Sequence, residues 1–239
     1  MIRVHESLAL LIDDATRQFV DLITSIQTNS QGGLHGDGRA RVVLTGGTAG
    51  IALLERLADA PVDWSGVDIF FGDERNVAVD NPDSNEGQAR AALLGPAGVP
   101  EANIHGYGLD GGDMGDAVAR YRETLRAFAP RGFDLHLLGM GGEGHINSLF
   151  PDTDAVRERE QLVVAVTDSP KPPAERATLT LPAVQSAAHV WLLVAGDEKA
   201  EAAARAVDKQ ASPEAWPVAG AKGREETTLF ITQDAAGAL

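Results

Sequence analysis

The chain has 239 residues, 44% of them hydrophobic, and no cysteine. That length can bury one sizeable core, and the missing cysteine excludes disulfides, thiol chemistry and thiolate metal sites. A formal charge of -15 without any basic stripe excludes nucleic acid as the expected partner. It does not exclude a small anion held by a few local donors. The N-terminal Met1-Ile2-Arg3-Val4-His5-Glu6 lacks the apolar core of a signal peptide, and no run approaches the ~18 apolar residues of a membrane span. The expectation is one domain over residues 1–239, cytoplasmic, with no membrane contact.

Residues 2 to 5 read as a short strand. From Leu8 to Asn29, Ile12, Thr16, Phe19, Ile23 and Ile26 recur at helical spacing. After a glycine-rich loop, Arg41 to Leu44 form a short buried strand, and Thr45-Gly46-Gly47-Thr48 turns it into a helix carrying Ile51, Leu53, Leu54 and Leu57. Val67 to Phe71 make a second apolar strand, continued by a loop through Asp73-Glu74-Arg75. Ser84-Asn85-Glu86 caps a helix through Leu94, because serine accepts at the N-cap and acids suit the first turn. Residues 113 to 128 repeat the helical pattern. A third apolar strand, from Phe133, enters the turn at 139–144, and a short helix is expected directly after His145. Strands follow at 161–166, 178–181, 189–195 and 227–231, with helices at 182–187 and 197–209. Residues 211–226 read as an irregular surface excursion. Strands alternating with helices predict an α/β fold, a Rossmann-like open, mostly parallel sheet with helices on both faces.

The stretch Gly139-Met140-Gly141-Gly142-Glu143-Gly144-His145 concentrates the chemistry. Glycines let the backbone come close to a ligand, and loops at strand ends are where open α/β sheets bind small molecules. The stretch formally fits the dinucleotide fingerprint, but Pro151 leaves no room for the long helix which that motif opens. His145 is the candidate general acid/base, since its ordinary pKa lets it exchange a proton near neutrality. His136, inside the apolar strand, reads as structural. Thr45 to Thr48 form a candidate anion cradle at a helix start, without the lysine of an ATP-binding loop. Asp73, Glu74 and Arg75 place a carboxylate beside a guanidinium at a strand end. Lys171 and Arg176 flank the stiff Pro172-Pro173 pair, an arrangement suited to one anion. No histidine pair or acid cluster has metal-ligand spacing, and no Gly-x-Ser-x-Gly elbow is present.

Taken together and in order, Val42–Thr48, Phe71-Gly72-Asp73-Glu74-Arg75 with Asn81-Pro82-Asp83-Ser84-Asn85, Phe133–Pro151, Asp168–Pro182 and Val194–Ala200 resemble the 6-phosphogluconolactonase family, within the wider sugar-phosphate isomerase/deaminase group. The resemblance implies hydrolysis of 6-phospho-D-glucono-1,5-lactone to 6-phosphogluconate without a cofactor. It carries the general base onto His145, an assisting acid onto Asp73, and phosphate contacts onto Arg75, Lys171 and Arg176. Gly46, Gly47 and Thr48 would line the pocket, and Gly141, Gly142 and Gly144 would shape the histidine turn. Either Asp73 or Glu143 would orient the imidazole, and N–H groups of residues 141–145 would face the oxyanion. Gly142-Glu143 departs from the more usual proline-aspartate, and Ala49-Gly50 from threonine or serine then proline. The expected partner is a phosphorylated sugar lactone, and the expected assembly a monomer, with a homodimer as the alternative. The rivals are a glucosamine-6-phosphate deaminase, a group that usually has tyrosine in place of Arg75 and a Phe-Asn-Glu segment after its histidine, and a silent sugar-phosphate-binding regulator.

Overall fold

The computed structural model describes residues 1–239. β1 (Ile2–His5) leads into α1 (Leu8–Gln27), followed by β2 (Ala40–Leu44), α2 (Gly47–Leu57), β3 (Val67–Phe71) and the short β4 (Asp73–Arg75). α3 (Asn85–Ala89) widens into a π turn (Arg90–Leu94) before β5 (Ile104–His105) and α4 (Met114–Phe128). Then come β6 (Leu135–Leu138), α5 (Asp154–Arg157), β7 (Val163–Val166), β8 (Arg176–Leu179) and α6 (Leu181–Val184). β9 (His189–Val194), α7 (Ala200–Val207) and β10 (Glu226–Thr232) complete the chain.

The local causes are legible. The Ser7 side chain accepts from Leu10 N and starts α1, whose Leu11, Ala15, Phe19 and Ile23 face the core. Every residue of β2 and β3 is buried, as expected for parallel strands covered on both faces. Seven strands form one parallel sheet in the order β1-β10-β9-β6-β2-β3-β5. From β2 the chain moves outward to β3 and β5, then returns to the other side of β2 to lay down β6, β9 and β10. The winding therefore reverses between β2 and β6, and a crevice opens there beyond the strands' carboxyl ends. The Gly139 N–H donates to Thr45 Oγ1 at 3.0 Å and ties those two ends together.

A second sheet, β4-β8-β7, is antiparallel. It was not expected, because three-residue β4 carries the polar run Asp-Glu-Arg and has no hydrophobic alternation to read. Its pairing sets Asp73 opposite Thr178 and Arg75 opposite Arg176. Residues from both sheets, among them Val163, Ala177 and Leu179, join one cluster of 60 buried hydrophobic residues. No helix is long and apolar enough to cross a membrane.

Other differences from the sequence reading are local. No helix follows His145: Ile146 and Leu149 bridge one another, Asn147 adopts φ 49, and the next helix begins only at Asp154. The helix read over 197–209 divides into a 3-10 turn (Asp197–Lys199) and α7. Residues 211–226 are not a surface excursion, because Val218 and Ala221 are buried and Val218 N donates to Gly144 O at 2.9 Å.

β5 has two residues and ends opposite Phe70, so the Phe71 backbone has no strand on that side. The buried Tyr121 hydroxyl substitutes, accepting from Phe71 N at 3.0 Å and donating to Phe71 O at 3.2 Å. Tyr121→Phe leaves both groups unpaired and is expected to lower unfolding stability by about 1–3 kcal/mol, read by urea denaturation. A change within error would show that water replaces the hydroxyl.

Candidate active site

A cleft of about 160 Å3 occupies the crevice between β2 and β6, lined by Thr45, Gly46, Gly47, Asp73, Arg75, Asn85, Gly139, Met140, His145, Asn147 and Arg176. A larger open groove of about 1060 Å3 lies between α1 and α2. It holds none of these residues, and the convergence of charge and imidazole marks the smaller cleft as the chemical one.

His145 is held by its own turn. Gly141 N donates to His145 O at 3.1 Å and Gly144 N to Gly141 O at 3.0 Å. Those two donors are therefore spent inside the turn and are not free for an oxyanion. A Cβ at Gly141 would stand 2.1 Å from His145 Nδ1 and 2.5 Å from Glu143 Oε2, so only glycine admits both side chains. Gly144, at φ 79, lies under Trp216, whose Cε3 would meet a Cβ at 2.9 Å. The imidazole stacks on Phe150 with ring centroids 4.5 Å apart.

Glu143 Oε1 stands 3.2 Å from His145 Nδ1, off the alignment of a hydrogen bond, and 2.8 Å from Lys171 Nζ. Burial alone would raise the Glu143 pKa. The Lys171 hydrogen bond and nearby positive charge override that and bring it to about 2. Burial pushes the His145 pKa below its ordinary value, Lys171 pushes it the same way, and Glu143 opposes them. The ring is therefore neutral at pH 7, with Nδ1 toward a fixed carboxylate. Asp73 does not share that position. Its Oδ1 accepts from Asn85 Nδ2 at 2.9 Å and its Oδ2 from Ser148 Oγ at 2.6 Å.

The opposite wall is cationic. Arg75 donates through Nη1 to Asp83 O at 3.1 Å and to Asn85 Oδ1, while its buried Nε has no partner. Arg176 is 5% exposed and sits in a cage of carbonyls. It donates through Nε to Pro173 O at 3.0 Å and through Nη2 to Lys171 O at 2.9 Å and Pro172 O at 3.1 Å. Burial lowers its pKa, Asp73 at 4.0 Å opposes this, and Arg75 adds to the lowering. Like charges set directly opposite on paired strands repel, and an anion between them relieves the repulsion. Gly46 leaves room for Asn85, whose Oδ1 would meet a Cβ there at 2.5 Å. Gly46 is the N-cap of α2 and Gly47 its first residue, so unpaired helix N–H groups add to the positive potential.

Of the residues singled out from sequence, Gly46, Gly47, Asp73, Arg75, His145 and Arg176 line the cleft. Glu143 and Gly141 stand against the histidine, and Lys171 stands against Glu143. Gly142 faces the Glu198 carbonyl, Gly144 packs on Trp216, and Thr48 is exposed and outside the lining. Thr45, read as part of the anion cradle, also lines the cleft, whereas sequence reasoning missed Asn85, Met140, Asn147 and Ser148 as site residues. Asn85 had been read as part of a cap and of a family motif, without a role in the site; Ser84 does the capping, accepting from Gly87 N, and Asn85 is free for Asp73 and Arg75. His136 is fully buried, and its pKa falls to about 3 through burial, in keeping with a structural role. No three His, Asp or Glu side chains converge as a metal site.

The family described as glucosamine-6-phosphate isomerases/6-phosphogluconolactonase matches residues 10–230. The chain belongs to this family. A 6-phosphogluconolactonase of Mycobacterium tuberculosis is 49% identical over 213 residues, 84% of this chain and 86% of that protein. One from Streptomyces coelicolor is 38% identical over 251 aligned positions, covering 99% and 93%. The crystal structure of 6-phosphogluconolactonase from Thermotoga maritima superposes with a TM-score of 0.85 at 26% identity, covering 98% of this chain and 99% of that one.

In this member of the family the two charges beside His145 act on it in opposite directions. Glu143→Gln removes the charge that raises the imidazole pKa and is expected to lower it further; Lys171→Met is expected to raise it. NMR titration of the ring nitrogens reads both. Shifts of the same sign in the two variants would contradict this arrangement.

Proposed function

We propose that the protein hydrolyses 6-phospho-D-glucono-1,5-lactone to 6-phospho-D-gluconate, the second step of the oxidative pentose phosphate pathway, without a cofactor. One observation carries the reading: a neutral, buried-ring imidazole and a pair of facing arginines line the same cleft. A phosphorylated lactone presents the two matching groups, a phosphate dianion and an activated ester. The phosphate lies between Arg75 and Arg176, near the start of α2. Guanidinium groups suit phosphate because their fork of donors meets two oxygens at once. Arg75, standing where the deaminase group usually has tyrosine, favours the lactonase over the deaminase. A regulator without turnover would have no use for a base held neutral beside a fixed carboxylate.

His145 takes a proton from water through Nε2 as the oxygen attacks C1, and Glu143 stabilises the imidazolium formed. The imidazolium then protonates the departing ring oxygen. A six-membered lactone is activated enough that water suffices as nucleophile. Holding the phosphate positions C1 and removes much of the entropic cost of the encounter. Lys171 fits less well as a phosphate ligand than as the partner of Glu143. The chain is read as a single domain acting in the cytoplasm as a monomer. Its exposed large apolar residues, such as Leu10, Phe128 and Leu162, are distributed among α1, α4 and the β7 approach, and a homodimer is the alternative.

The deciding assay is hydrolysis of freshly generated 6-phosphogluconolactone, measured as excess over spontaneous opening, with unphosphorylated gluconolactone alongside. A large excess with the phosphorylated lactone alone is expected; no excess with either sinks the proposal, and ammonia release from glucosamine 6-phosphate becomes the next assay. His145→Ala is expected to lower kcat at least ~100-fold, and a folded variant with near-normal kcat would remove His145 from the mechanism. Arg75→Ala is expected mainly to raise KM, by roughly ten- to a hundred-fold. With the His145 pKa below its ordinary value, kcat/KM should fall only on acidification and stay level from pH 7 to about 8. A loss of activity already beginning at pH 7.5 would contradict a depressed pKa.

A further inference from the structure

Asp73 and Arg75 lie two positions apart on β4, with the buried Glu74 between them. The strand period therefore sets both on one face, and both line the cleft. Opposite charges placed in this way ordinarily pair. Here they do not. The one cation within reach of the Asp73 carboxylate is Arg176, at 4.0 Å, and the Arg75 guanidinium donates to Asp83 O and Asn85 Oδ1 instead of to a carboxylate.

The Asn85 amide stands between the two charges. Its Nδ2 donates to Asp73 Oδ1 and to Asp73 O, each at 2.9 Å, and its Oδ1 accepts from Arg75 Nη1. The partners fix which way the amide points, because a carboxylate needs the NH2 end and a guanidinium needs the oxygen. The side chain is not free to swing aside. It is 7% exposed, its backbone N–H donates to Glu74 Oε1 at 2.7 Å, and Gly46 supplies the space that Oδ1 fills.

A neutral amide pairs with one charge at each end and cancels neither. A carboxylate in its place would neutralise the guanidinium, and a gap would let Asp73 do so. An incoming anion would then have to displace that internal partner. As it stands, Arg75 Nη2 makes no hydrogen bond within the protein and is not sealed off as Nε is.

We infer that Asn85 is a positioning residue that acts through Arg75, holding Asp73 away from the guanidinium and so keeping it open to the substrate phosphate. The inference rests on the lactonase reading for the identity of the anion. The separation of the two charges rests on the cleft geometry alone.

The test is a double-mutant cycle read by calorimetric binding of 6-phosphogluconate, which carries the same phosphate as the lactone. Asn85→Ala frees Asp73 to reach Arg75 and is expected to weaken binding roughly tenfold. In an Asp73→Asn background the same substitution should weaken it by less than about threefold, because no carboxylate is left to compete. Asn85→Asp is nearly isosteric and brings its own carboxylate against Arg75; it should weaken binding at least ~10-fold in both backgrounds. In turnover of 6-phosphogluconolactone the Asn85→Ala loss should fall on KM, with kcat within about threefold of wild type. Melting curves check the fold of each variant. Equal losses from Asn85→Ala in both backgrounds would mean a direct ligand contact or a merely structural role and would overturn the inference. Normal binding by Asn85→Asp would overturn it too, even if Asn85→Ala failed to fold. Wild type that binds 6-phosphogluconate without hydrolysing the lactone would refute the lactonase reading, and the binding cycle would still decide the role of Asn85. Wild type that does not bind it would overturn both.

Discussion

Two arginines set opposite one another on paired strands, both lining one cleft, are the constraint around which this site is built. Arg75 and Arg176 sit directly opposite on antiparallel strands, and their mutual repulsion must be carried by the surroundings in the free protein. The carbonyls of residues 171, 172 and 173 cage Arg176, and Asp73 stands 4.0 Å from it. Asn85 joins Arg75 to Asp73. Below them the buried Glu74 accepts from the backbone N–H groups of Arg75, Asn85 and Glu86 and from Ser84 Oγ, which locks β4 to the start of α3. The small second sheet is thus a frame for positive charge. A protein of net charge -15 can hold an anion because its local field is set by these two residues and not by the total.

The same arrangement explains why the imidazole is kept apart from the cations that bind substrate. His145 lies on the loop after β6, while the arginines come from β4 and β8, so base and anion site are carried by different elements. Lys171 belongs to the loop that Arg176 anchors, and it couples the two: it holds the Glu143 carboxylate, which faces the ring. The opposing charges partly cancel at His145, leaving burial as the leading influence on its proton. Asp73, by contrast, is fully engaged by Asn85 and Ser148. Its geometry suits organising the anion site and not turning the ring.

The Gly139 to Asn147 turn is over-determined from several sides: Thr45 holds its start, Trp216 covers Gly144, Phe150 lies under the imidazole, and Gly72 accommodates the Asn147 amide. Each of these neighbours comes from a different part of the chain. Rigidity of this kind suits a reaction in which a misplacement of about 1 Å costs rate steeply.

Sequence alone determined the alternation of buried strands and amphipathic helices, because burial on both faces and a helical period leave continuous apolar runs and repeats of three and four. It also determined which turns are rich in glycine, and it singled out His145, Arg75, Lys171 and Arg176. Five ordered motifs carried the family resemblance further than any one of them. Tertiary structure alone decided that β2 and β6 flank the switch point, that Arg75 meets Arg176, and that Glu143 and not Asp73 stands beside the imidazole. Those are contacts between residues distant in the chain, set by strand order and register, and no local periodicity encodes them. β4 was illegible for the same reason: a polar tripeptide becomes a strand only when β8 is there to pair with it. Residues 211–226 looked like surface because they lack a period, yet they pack over Gly144. Asn147 was invisible as a site residue, since its left-handed backbone and its unpaired oxygen exist only once Gly72 and His136 are folded around it.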